Sequence, residues 1–224
     1  MCPPSPSTAI ELPHLRTALL HDEEAVIVAL GSSSTLGVMA SDLAHSYPAV
    51  LQRALSTSLA DSHIAVINRG ISGQDAREEL ARMATDVIAM RPQVVVWQVG
   101  ANGALRNSDP EQFHQRVTEG VRKLQAAGAD VILMDNQLSP RLLARPDEPV
   151  FDQALADVAH ETGVSLFSRH ALMQAWSEAG VPPSEFIASD GLHHNDRGYY
   201  CVATALAREI IQGLSANRPQ TASR

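Results

Sequence analysis

Residues 25–37 read Ala25-Val26-Ile27-Val28-Ala29-Leu30-Gly31-Ser32-Ser33-Ser34-Thr35-Leu36-Gly37. An unbroken apolar run follows the acidic pair Glu23-Glu24 and stops at a glycine, the pattern of a strand buried on both faces of a parallel sheet. Similar runs recur at 64–67, 94–99, 131–134 and, more weakly, 164–167, so about five strands are expected. Between them lie helical patterns. The clearest spans 75–90, where Leu80, Met83, Ala84, Val87 and Ile88 repeat at three-and-four spacing, Asp75 and Glu78 form a capping-box pattern, and Pro92 follows. A second opens with Asp109 as cap and Pro110 in its first turn and closes at Gly128. Further helices fit 47–60, 150–162, 169–179 and 196–213. Strands alternating with helices build a parallel sheet covered on both faces, because right-handed crossovers place the helices there. The expected fold is an α/β protein, a three-layer α/β/α sandwich on a five-stranded parallel sheet.

The chain has 224 residues, 45% hydrophobic and 19% charged, enough for one core and unlike a disordered composition. Residues 1–15 are expected to be a flexible N-terminal segment, 16–213 a single domain, and 214–224 a flexible tail, both ends being rich in Pro, Ser, Asn or Gln. A formal net charge of -8 argues against nucleic acid and anionic lipid as partners, since both are held by clustered cations. Lys123 is the only lysine, which leaves almost no place for a phosphate-loop or Schiff-base lysine. Cys2 and Cys201 lie at opposite ends of the sequence, and no structural disulfide is expected from that spacing. The first residues show no basic segment followed by an apolar stretch, and no run is long enough to span a bilayer. The chain as written reads as cytoplasmic, although a mature exported form or a trimmed chain would read the same way. Nothing in it indicates an oligomeric state.

In sheets of this class ligands bind beyond the carboxyl ends of the strands. The first strand is followed by Gly31 to Gly37, the second by Asn68-Arg69-Gly70-Ile71-Ser72-Gly73, and the third by Gly100-Ala101-Asn102-Gly103. Past the last strand comes Asp190-Gly191-Leu192-His193. These groups suit acyl transfer. A serine hydroxyl is a poor nucleophile until an imidazole takes its proton, and the imidazole needs a carboxylate on its other nitrogen. Asp190, three residues before His193 across an Asp-Gly turn, can reach Nδ1 and leave Nε2 facing a serine. The backbone N–H groups of Ser33 and Gly73 and the Asn102 amide are candidate donors to an oxyanion.

Taken together, these blocks resemble the SGNH hydrolases, also called GDSL esterases and lipases. Their four markers, Ser, Gly, Asn and His in separate blocks, match Ser33, Gly73, Asn102 and His193 in order, over about residues 25–210. The resemblance implies a flavodoxin-like sheet and a serine esterase with Ser33 as nucleophile, His193 as base and Asp190 as its orienting acid, needing neither cofactor nor metal. Two positions depart from the family pattern. Ser32 stands where Asp is common in the first block, and Gly103 stands where the third usually ends in Asp. Ser32 and Ser34 are the alternative nucleophiles, and spacing to Thr35 and Gly37 favours Ser33.

The nine histidines are scattered without zinc-ligand spacing. Leu105, Arg106, Gln137, Phe186, Ile187 and His194 are expected to line the substrate pocket. Few aromatic residues (4%) and no long apolar lid point to short acyl chains, for example acetyl groups on a carbohydrate. An acyltransferase or thioesterase with the same triad, or a phosphate-binding module using the helix N-terminus after the first strand, are the alternatives.

Overall fold

In a computed structural model, which describes residues 1–216, the elements run α1 (Pro13–Leu20), β1 (Ala25–Gly31), α2 (Ser33–Leu36), α3 (Tyr47–Ser58), β2 (Ile64–Gly70), α4 (Ala76–Asp86), β3 (Val94–Gln98) and α5 (Ala101–Leu105). There follow α6 (Pro110–Ala126), β4 (Asp130–Met134), α7 (Pro140–Leu143), α8 (Glu148–Thr162), β5 (Ser165–Phe167), α9 (Arg169–Glu178) and α10 (Asp196–Ala216). The five strands form one parallel sheet in the order β2-β1-β3-β4-β5. This is the expected three-layer sandwich.

The apolar runs separate into two cores because successive strand side chains point to opposite faces. Ile27, Ala29, Val94, Val96, Ile132 and Met134 pack with α1, α3, α9 and α10. Val28, Leu30, Val95, Trp97, Val131 and Leu133 pack with α4, α6 and α8. Local signals fix the helix ends. Asp75 and Glu78 form the expected capping box on α4, and the Asp109 side chain accepts from the backbone N–H groups of Glu111 and Gln112 at the start of α6.

The amino-terminal stretch differs from expectation. Helix α1 begins inside the segment 1–15 read as flexible, and Ile10 and Leu12 are buried. Ile10 N–H donates to the Glu209 carbonyl at 3.2 Å, Ser7 Oγ to Gln212 Oε1 at 2.6 Å, and Cys2 is disulfide-bonded to Cys201 with their Cα atoms 5.4 Å apart. The segment thus lies along α10. The disulfide corrects the expectation drawn from sequence distance, because docking on α10 brings residues 199 positions apart into contact. At the other end α10 continues to Ala216, and most of the tail expected at 214–224 lies outside the described residues. Among the described residues no helix is long and apolar enough to cross a membrane.

The chain leaves β1 for β2 on one side and returns to β3 on the other, so the connections diverge at the carboxyl ends of β1 and β3. That divergence opens a crevice, and the short helices carrying Ser33 and Asn102 start there.

Candidate active site

Ser33 is the first residue of α2, immediately after β1, and is largely buried. Its position follows from the Gly31-Ser32 exit: Ser32 N–H and Ser32 Oγ both donate to Gln98 Oε1 at 3.3 Å, and Thr35 Oγ1 donates to the same oxygen at 3.3 Å. Gln98, the last residue of β3, therefore holds the turn from the neighbouring strand. Ser32, at the place where the resemblance has an acid, is bound here to a neutral amide.

The Asp190–His193 segment reaches Ser33 from the far end of the chain. Nε2 of His193 lies 2.7 Å from Ser33 Oγ, across 160 residues of sequence. Nδ1 lies 2.5 Å from Asp190 Oδ2, and the other carboxylate oxygen accepts the N–H groups of Leu192 and His193, each at 3.0 Å. Burial pushes the Asp190 carboxyl up, but the bond from His193 and the two backbone N–H groups outweigh it and hold the group below its ordinary value. Asp190 is thus an ionised acceptor. A hydroxyl, an imidazole and a carboxylate in this sequence can pass a proton from oxygen to nitrogen while the resulting imidazolium keeps a counter-charge. Ser32 and Ser34, the alternative nucleophiles, are buried as well, and it is Ser33 whose oxygen meets the imidazole.

Gly73 and Asn102 face one another across the crevice through Gln74. Asn102 Nδ2 donates to the Gln74 carbonyl at 2.7 Å, which uses one amide hydrogen and leaves the second. Gly73 adopts φ +82°, a left-handed conformation that a side chain would strain. Its carbonyl accepts from Arg106 Nη2 at 2.6 Å, and Arg106 Nη1 pairs with Asp75 at 3.3 Å and Glu78 at 3.4 Å. Among the described residues none accepts a hydrogen bond from Ser33 N–H or Gly73 N–H. These donors are available for negative charge. Gly103, the second departure from the family pattern, is explained by packing. A Cβ there would sit 2.7 Å from the Phe151 ring, leaving no room for an aspartate.

The expected pocket residues divide. Arg106 is half exposed beside the Gly73 loop, and Leu105 is partly buried against the second core. Phe186 and His194 are fully buried, and Ile187 is nearly so; Phe186 and Ile187 belong to the first core. Phe186 stacks on Trp176 with ring centroids 4.4 Å apart, so Phe186 and His194 pack in the core instead of lining a pocket. His194 points inward with Nδ1 3.2 Å from the Phe186 carbonyl oxygen, and burial together with the nearby Arg169 charge lowers its pKa to about 3. Gln137 is also buried and donates from Nε2 to the Leu192 carbonyl at 2.7 Å.

Gln74, Gln98 and Arg82 were not singled out from sequence. Arg82 donates from Nη2 to the Gly31 carbonyl at 3.1 Å and the Arg69 carbonyl at 2.8 Å, and from Nε to Gln74 Oε1 at 2.5 Å. It ties the β1 and β2 exits together. Arg82 falls within the helix expected over 75–90, but the apolar pattern that marks that helix says nothing of a polar residue's partners.

Among the described residues, Glu148, Asp152 and His170 bring three metal-capable side chains together on α8 and α9. Burial, followed by the nearby Asp152 charge, raises the Glu148 carboxyl to about 7. The adjacent Asp135 accepts from the N–H groups of Arg169 and His170 at 2.6 and 3.1 Å, so this acidic group includes a helix cap.

A sequence profile of the Non-GDSL lipase-like family matches residues 2–216. The chain is 25% identical over 188 residues to an arylesterase of Vibrio mimicus, covering 84% of this chain and 89% of that protein. It is 29% identical over 168 residues to esterase TesA of Pseudomonas aeruginosa, covering 75% and 78% respectively. Among solved structures, a two-domain esterase active on acetylated mannans superposes with a TM-score of 0.79 at 20% identity. That match covers 96% of this chain and 57% of the two-domain protein.

Proposed function

Because the chain belongs to the Non-GDSL lipase-like family, we propose that it is a serine esterase whose nucleophile is Ser33 and whose natural substrates are short-chain carboxylic esters, with acetylated carbohydrate the favoured class. The observation that carries this reading is the continuous Ser33–His193–Asp190 chain of hydrogen bonds, with contacts of 2.7 and 2.5 Å.

In the proposed reaction Ser33 Oγ attacks the ester carbonyl carbon as His193 Nε2 takes the hydroxyl proton. The carbonyl oxygen becomes an oxyanion between Ser33 N–H, Gly73 N–H and Asn102 Nδ2, donors that require little rearrangement as charge develops. Collapse of the tetrahedral intermediate breaks the bond to the alcohol oxygen, which receives the proton from His193. Water then attacks the acyl-serine with His193 again as base, releasing the carboxylic acid and restoring the serine. Asp190 stays ionised throughout.

The ester specificity draws on the arylesterase and TesA relatives, and the short acyl preference on the scarcity of aromatic residues in the chain. The Cys2–Cys201 bond favours an oxidising compartment over the cytosol, where thiols are kept reduced. An activity series on p-nitrophenyl acetate, butyrate, octanoate and palmitate tests the substrate class. The maximum of kcat/KM is expected at acetate or butyrate, and a maximum at palmitate would overturn the short-chain reading.

A further inference from the structure

We propose that Gln137 is a positioning residue for His193, acting on the peptide bond between Leu192 and His193 from the end opposite Asp190; the inference rests on the acyl-serine reading above. That peptide is held at both polar ends. Its N–H, from His193, donates to Asp190 Oδ1 at 3.0 Å, and its carbonyl, from Leu192, accepts from Gln137 Nε2 at 2.7 Å. The neighbouring carbonyls are bound by backbone: Gly191 O accepts from Arg141 N–H at 3.0 Å and His193 O from Ala188 N–H at 2.8 Å. In this run of three carbonyls, only that of Leu192 is bound by a side chain, so a single substitution can remove its contact.

Gln137 lies just beyond β4, is almost completely buried, and its Oε1 has no hydrogen-bond partner among the described residues. Leaving a buried acceptor unpaired is destabilising, so an amide kept there for stability alone is a poor choice. Its donor is what the site uses. A peptide plane gripped at both ends cannot tilt, and tilting it would swing the His193 Cα–Cβ bond and lengthen the contacts to Ser33 and Asp190 together. Those contacts must hold through two proton transfers, and misplacement of about 1 Å costs on the order of a hundredfold in rate.

Two variants test this. Gln137→Leu removes the donor at similar volume. It is expected to lower kcat on p-nitrophenyl acetate by roughly ten- to a hundredfold with KM changed less than about twofold, because the contact orients the base and does not touch substrate. Gln137→Glu carries a proton at that position only while its carboxyl is neutral. Its kcat relative to wild type should therefore be highest at acidic pH and fall as the pH rises and the carboxyl ionises. A pH-independent ratio, or wild-type kcat in folded Gln137→Leu accompanied only by a lower melting temperature, would overturn the proposal. If Gln137→Leu does not fold, the Gln137→Glu ratio decides alone. Ser33→Ala, run in parallel, separates the two levels. An inactive Ser33→Ala beside a fully active Gln137→Leu refutes only this inference, whereas an active Ser33→Ala refutes the acyl-serine reading and this inference with it.

Discussion

His193 and His194, adjacent in the chain, face opposite ways: His193 Nε2 meets Ser33 Oγ at 2.7 Å, while His194 Nδ1 meets the Phe186 carbonyl inside the core at 3.2 Å. The antiparallel bridge between Ile187 and His194 makes this stretch locally extended, and alternation along extended backbone sends neighbouring side chains to opposite sides. One imidazole therefore meets the Ser33 hydroxyl and the other packs inside the core.

The buried histidine gives the fold an acid-labile point. Folded His194 titrates at about 3, below the ordinary value of 6.5, so it remains neutral where its unfolded counterpart takes up a proton. Its stabilising contribution is complete above pH 6.5 and is lost as the pH falls toward 3, the loss reaching about 2 kcal/mol by pH 5. Burial raises Asp135, Glu148 and Glu209 to about 7, so these groups act in the opposite sense and lose stability as the pH rises from about 4 toward 7. That contribution is common to wild type and to His194→Gln. Denaturant unfolding at pH 7.5 and pH 5 should show a smaller loss on acidification in His194→Gln than in wild type; equal losses would contradict the assignment.

Removing the charge beside His193 should damage turnover more than binding. Asp190→Asn keeps the shape but replaces an acceptor with an amide that can stabilise the wrong tautomer. It is expected to lower kcat by about 10²- to 10⁴-fold with little change in KM. Steady-state kinetics on p-nitrophenyl acetate measure it, and a loss under about threefold would show that Asp190 does not serve the base.

Asn102→Ala removes a donor proposed to matter only when the oxyanion forms. The expected loss is about 10²- to 10³-fold in kcat, corresponding to roughly 3–4 kcal/mol. An increase in KM at unchanged kcat would instead place Asn102 in ground-state binding.

Restoring the family's usual acid at Gly103 should harm this protein. The Phe151 ring occupies the space a Cβ needs, so Gly103→Asp is expected to cost about 1–3 kcal/mol in overpacking. Thermal denaturation should show a lower midpoint. A midpoint at or above that of wild type would mean that the α5–α8 contact yields easily.

The disulfide offers an independent stability test. Cys2→Ser is expected to cost roughly 2–4 kcal/mol, since the bond closes a very long loop of the unfolded chain. Reducing agent should lower the melting midpoint of wild type and leave that of Cys2→Ser unchanged.

Much of this was legible in the sequence because the signals are local. The apolar runs ending in glycine set the strands, and Asp75 by its side chain and Pro110 and Gly128 by their backbone punctuate helices within a turn. Asp190 and His193 are also a local pair, three residues apart across a tight turn. What escaped depends on distance: Gln98 binds the β1 exit from β3, Arg82 joins two strand exits from α4, and Cys2 meets Cys201 only because an amino-terminal segment docks on α10. The pocket expectation for Phe186 and His194 failed because nearness to Asp190 in sequence says nothing about which side of the backbone a side chain takes. Their burial follows from pairing with α9 and α10, which no residue-by-residue pattern displays.

In the proposed reaction Ser33 Oγ is the atom that takes the acyl group. Treating the folded protein with a fluorophosphonate and measuring intact and peptide masses tests it directly, because the reagent forms a covalent bond to an activated serine. One adduct per chain is expected, located on Ser33, and none on Ser33→Ala. An unlabelled wild type, an adduct on Ser32 or Ser34, or a labelled Ser33→Ala would contradict it.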